Sequence, residues 1–167
     1  MKDCTTTSDV IYRPNAIRAL CRIIDGTTVQ AIERLIKTAI VDKSPPVSSA
    51  ALVSSYHLFP LAKEVVRRWA SEAQDSIVSA RAWTTSGTAG GFPVSSVVSS
   101  ASFITQYHGL GLLYLMRQQD RMAVTKIIQQ FSGQDIGRGG STTTLKSPQA
   151  IVMLIRFASK VMREDPK

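Results

Sequence analysis

The residues best placed to do chemistry in this chain are cations at helical spacing. Arg18 and Arg22, Lys63 and Arg67, and Arg117 and Arg121 each stand four residues apart. Arg156, Lys160 and Arg163 follow at i, i+4 and i+7. Like charges at that spacing mildly destabilise an isolated helix, so such a face is kept for solvent or for an anion. Several helices with the same device favour a polyanion whose phosphates lysine and arginine neutralise. A second anion candidate is the GRGG stretch at 137–140. Its glycines let backbone amides converge, and Arg138 adds charge. These cations, from Arg18 through Arg138 to Arg163, form the expected nucleic-acid-binding set.

The patterns of catalysis and metal binding are missing. His57 and His108 are the only histidines, and neither belongs to a metal-binding spacing. There is no G-x-S-x-G elbow, HExxH pair, calcium loop or phosphate-loop lysine. The glycines of the TTSGTAGGFP stretch, Gly87, Gly90 and Gly91, lack dinucleotide-binding spacing. The expectation is a protein that is not an enzyme and carries no cofactor or metal.

The charge balance agrees with a polyanionic partner. Twenty Lys+Arg against 12 Asp+Glu leave a net charge of +8. With 44% hydrophobic residues in 167, the chain can bury a core as one domain. Cys4 and Cys21 make no disulfide framework, which fits a reducing compartment, the cytoplasm or a virion. The N-terminus MKDCTTTSD lacks the apolar run of a signal peptide. No apolar run reaches the ~18 residues of a membrane span.

The elements that must position these cations read as helices throughout. Phe103 to Met116 is uncharged and apolar on nearly every side, the pattern of a buried central helix. Gly109 and Gly111 there imply either close packing of a neighbour or a ligand cleft. Ile17, Leu20, Cys21 and Ile24 make one stripe, and Val29, Ile32, Leu35, Ile36 and Ile40 another. Glu33 and Lys37 are spaced to support that second helix. Ser48 to Tyr56 reads as a short helix with a weak apolar face. A long helix is expected from Pro60 through Trp83, with Trp69 inward. Tyr107 is also expected inward. Ser147-Pro148 starts a last helix, with Ile151, Leu154, Ile155, Ala158 and Met162 as its inward stripe.

No segment alternates with period two, no hairpin signal appears, and no repeat of 20–50 residues is visible. The fold class is therefore all-α, six to eight helices in one domain over 14–167, with a possible lobe division near 84–93. A loose arm occupies 1–13. From these features we expect a basic helical RNA-binding protein that self-associates, of nucleocapsid or viral coat type, with RNA preferred over DNA. The alternative is a helical adaptor that binds an acidic protein partner in a groove.

Overall fold

Prolines mark where three of the helices begin. Pro14 lies in the first turn of α1 (Tyr12–Ile23), Pro45 opens α3 (Pro45–Leu58), and Pro148 opens α8 (Pro148–Arg163). Ser147 caps α8, its Oγ accepting the Ala150 amide at 3.3 Å. A 3-10 turn (Val29–Ile32) leads into α2 (Glu33–Ile40). Then follow α4 (Lys63–Arg67), α5 (Ala70–Ser79), α6 (Ser100–Arg117) and α7 (Arg121–Ser132). The structure, a computed structural model, describes residues 11–79, 88–89, 92–93, 100–132 and 145–163. Residues 1–10 of the expected arm, Arg138 and most of both glycine-rich stretches lie outside these residues, whereas Tyr12 and Arg13, expected in the arm, begin α1.

The fold is all-α, with eight α-helices among the described residues. One exception falls inside TTSGTAGGFP, where no regular structure was expected. Thr88–Ala89 pairs antiparallel with Phe92–Pro93 as β1 and β2. The expected long helix from Pro60 is also broken, into α4 and α5, at Arg68-Trp69. The apolar spacing continues across this break, so periodicity alone could not reveal it.

The helices form two layers. In the first, α1, α3, α6 and α8 lie side by side and point the same way. The direction follows from ties along their length. Arg13 pairs with Asp42 just before α3. Thr105 Oγ1 donates to the Pro45 carbonyl, and Gln106 Oε1 accepts the Lys146 and Ser147 amides. Further along, Tyr114 stacks on Phe157 with ring centroids 3.8 Å apart. The second layer holds α2 and α5, with α7 packed on α8. Arg68 reaches Glu33 at 2.8 Å and Lys37 reaches Glu72 at 3.0 Å, so these helices too run in register. Glu33 and Lys37, expected to support one helix, instead bridge outward to its neighbours. Burial pushes the Glu72 carboxyl up, but hydrogen bonds from Lys37 and Ser71 outweigh it and hold the group below its ordinary value. The result is a stack of antiparallel pairs, α2/α3, α5/α6 and α7/α8. This is the way helical repeats bury a continuous core.

Phe103 to Met116 does lie at the centre, since α6 packs on α3, α5 and α8. Its partner α3 is longer and more enclosed than expected, with ten of its 14 residues buried. Buried Ser48, Ser54 and Ser55 let the backbones approach, and Ser55 Oγ returns a bond to the Ala51 carbonyl at 2.7 Å. The two glycines of α6 divide the two readings between them. A Cβ on Gly109 would stand 2.7 Å from Ile77 Cγ1, so α5 occupies the space. A Cβ on Gly111 would meet nothing closer than Met153 Cε at 3.6 Å. Gly109→Ala is expected to lower stability by about 1–3 kcal/mol through overpacking, despite ~1 kcal/mol gained in helix propensity. Gly111→Ala is expected to be neutral or to stabilise by up to ~1 kcal/mol. Urea midpoints of the two variants check this, and the reverse order would contradict the packing.

Candidate functional site

The outer face of the parallel layer carries a groove of about 440 Å³ where α3, α6 and α8 meet. Two Tyr-His dipeptides build its walls. Tyr56 and His57 come from the last turns of α3, and Tyr107 and His108 from α6. Leu52, Val53, Gly111, Tyr114, Met153 and Phe157 complete it. Tyr56 is 48% exposed and Tyr107 37% exposed. Tyr107 is thus a groove residue and not the core residue expected from its stripe. Because α6 is apolar nearly all round, spacing could not tell its packed faces from its open one. The repeated Tyr-His dipeptide was the signal that could have found the groove.

Polar contacts fix this surface. The Ser49 hydroxyl and His108 Nδ1 lie 2.8 Å apart, joining α3 to α6. Among the described residues no carboxylate bonds the His108 ring, and Ser49 itself is buried. The pair ties α3 to α6. Burial, and secondarily the nearby Arg18 charge, hold His108 below the ordinary histidine value. The sign follows from the neutral form being favoured on folding. Above pH 6.5, the ordinary value, His108 leaves stability unchanged. As pH falls through the window between that value and the lower folded one, the unfolded chain binds the proton more readily and stability drops. His108→Gln is expected to flatten the decline of melting temperature across that window. Parallel declines for both proteins would contradict the assignment.

Cations flank the groove. Arg18 and Arg22 on α1 adjoin it, lining a smaller hollow of about 120 Å³ that shares Val53 and His57 with it. On the side of α8, Lys160 Nζ sits 5.6 Å from the Tyr114 ring centroid. Arg156 and Arg163 are exposed on the same helix. The other expected site residues collect elsewhere. Arg67 bonds Glu64 at 2.9 Å and shares a hollow with Arg117 and Asp120 near the α6–α7 turn. Lys63 and Arg121 are exposed. The expected inward stripe of α8 is rotated as well: Ala150, Leu154 and Phe157 are buried, whereas Ile155 and Met162 are open to solvent. Enough apolar residues ring this helix for two different stripes to be drawn. Among the described residues no cluster of His, Cys, Asp or Glu could hold a metal, and no helix is long and apolar enough to cross a membrane.

Stacked helical pairs with a parallel layer are what a family match explains. Residues 1–167 match the model of the adaptin N terminal region. The chain belongs to that family. Among adaptin-region relatives, the probable coatomer subunit gamma of Schizosaccharomyces pombe is 44% identical over 99% of this chain and 18% of its own length. Coatomer subunit gamma-2 of Takifugu rubripes is 47% identical, and that of Homo sapiens 44%, each over 98% of this chain and 15% of its own length. The chain thus spans less than a fifth of these relatives.

These matches correct the expected partner. The relatives are subunits of a coatomer, not nucleocapsid or RNA-binding proteins, so the nucleic-acid, viral and self-associating nucleocapsid expectations are overturned. The cations mislead because a net charge of +8 says only that an anionic partner is favoured. In the fold they are dispersed over separate surfaces, and some, such as Arg67, face carboxylates of the same chain. The helical adaptor alternative fits better.

Proposed function

We propose that this chain is a helical scaffold segment of a coatomer-type coat subunit, an adaptor that holds other proteins and does no catalysis. The single observation that carries this reading is the match of the whole chain to the adaptin region, shared with coatomer gamma subunits. The architecture supports it. Stacked pairs give an extended, rigid surface, and such surfaces are used for binding proteins. The reading also puts the protein in the cytoplasm, a reducing compartment in which buried Cys21 is kept as a thiol.

The test is an exchange. The corresponding segment of the fission-yeast relative is replaced by this chain, and the chimera is purified through a tag. It is expected to bring down the remaining coat subunits in the same proportions as the parent. A chimera that folds, by its helical circular dichroism and cooperative melting, yet purifies alone would overturn the scaffold reading.

A further inference from the structure

We propose that the groove between α3, α6 and α8 is a peptide site, and that its occupant is a short acidic segment of a partner protein. An aliphatic or aromatic side chain of that segment fills the groove, and flanking carboxylates meet Arg18 and Arg22 on one side and Lys160 on the other. This proposal rests on the adaptor reading and names the chemistry of one partner.

Size, lining and charge all contribute. At about 440 Å³ the groove lies within the range of sites for small ligands. Its walls are tyrosine and histidine rings and the side chains of Leu52, Met153 and Phe157, with no carboxylate among the lining residues. Tyrosine and methionine favour adaptable apolar contacts, and partly exposed tyrosines mark binding surfaces. The side chains that bracket this apolar strip are cationic. Arg18 bonds the neutral Asn15 amide at 3.0 Å, and neither Arg18 nor Arg22 forms an ion pair with a carboxylate among the described residues. An apolar strip between cations complements an apolar side chain between anions. It disfavours a basic segment, which would place like charges together on desolvated ground. In the layer, α1 packs on α3, α3 on α6 and α6 on α8, so a segment that crosses the helices meets the cations of α1 on one side and Lys160 of α8 on the other.

The whole chain is used to select from a random peptide-display library, and the enriched sequence is made as a fluorescent peptide for anisotropy. The expected result is enrichment of segments with Asp or Glu on both sides of Leu, Phe or Met. Arg18→Glu with Arg22→Glu is expected to weaken the selected peptide by ~10-fold or more. Gly111→Leu, which fills the groove from α6, is expected to remove binding with melting unchanged. Where Gly111→Leu fails to fold, Tyr107→Ala replaces it, since that ring is partly exposed. Enrichment of basic segments, or of none, would overturn the proposal. So would a short RNA or an anionic phospholipid vesicle that displaces the peptide, or a peptide that binds Gly111→Leu and Tyr107→Ala as well as the parent. A chimera that assembles while the selection stays empty overturns the groove alone. One that fails to assemble while the acidic peptide binds overturns the coat reading and leaves the groove standing.

Discussion

Replacing Trp69 by alanine is expected to lower stability by about 3–5 kcal/mol, the range for removing a large buried aromatic. Trp69 is fully buried at the break between α4 and α5, with its amide bonded to the Val66 carbonyl at 2.9 Å. Its side chain occupies the core under both helices, so the cavity cannot be refilled without moving one of them. Melting temperature should fall by roughly 6–20 °C for a chain of this size. A second variant separates volume from polarity. The indole Nε1 is buried without a hydrogen-bond partner among the described residues. Trp69→Phe removes that unpaired donor while keeping most of the ring, so its cost should be clearly smaller, because an unsatisfied buried donor costs about 1–3 kcal/mol. An alanine variant that melts like the parent would mean that α4 and α5 do not share this core.

Gln106→Leu is expected to cost about 2–4 kcal/mol although leucine matches the side chain in size. Gln106 is buried on α6 and reaches two other elements. Its Oε1 accepts the amides of Lys146 and Ser147, each at 3.0 Å, and its Nε2 donates to the Ile77 carbonyl at 3.3 Å. Leucine would take the acceptor from the buried Ser147 amide and the Nε2 donor from the Ile77 carbonyl. Hydrogen exchange is the sharper readout, because the first turn of α8 should lose protection while α3 keeps it. Gln106→Glu should lose less, since its carboxylate still accepts both amides. Equal protection of α8 in the leucine variant and the parent would remove Gln106 as its anchor.

Gln106 illustrates where the sequence stops speaking. A glutamine among apolar residues carries no mark of which remote amides it will meet. Trp69, Ile17 and Ile36 were legible as core because an amphipathic helix has one face to bury. Period fails on helices packed from several sides. In α6 it placed Tyr107 inward, and in α8 it chose Ile155 and Met162 over Phe157. The pairing of helices was hidden for a different reason. The spacers within α5/α6 and α7/α8 are long and that within α2/α3 is short, so three similar units show no common period. The cations flanking the groove were read correctly as helical faces, but not their neighbours. The aromatic strip between Arg22 and Lys160 is assembled from helices far apart in sequence, and only packing brings it together.

The most direct measurement of the scaffold claim is the composition of the complex that the full-length protein forms. It is purified through a tag from cytoplasm, treated with nuclease and moderate salt, and analysed by size, absorbance ratio and mass spectrometry. The expected result is a defined assembly of several different protein subunits in fixed proportion, with an absorbance ratio free of nucleic acid. A protein that elutes alone, or that keeps nuclease-protected RNA and no protein partner, would contradict it.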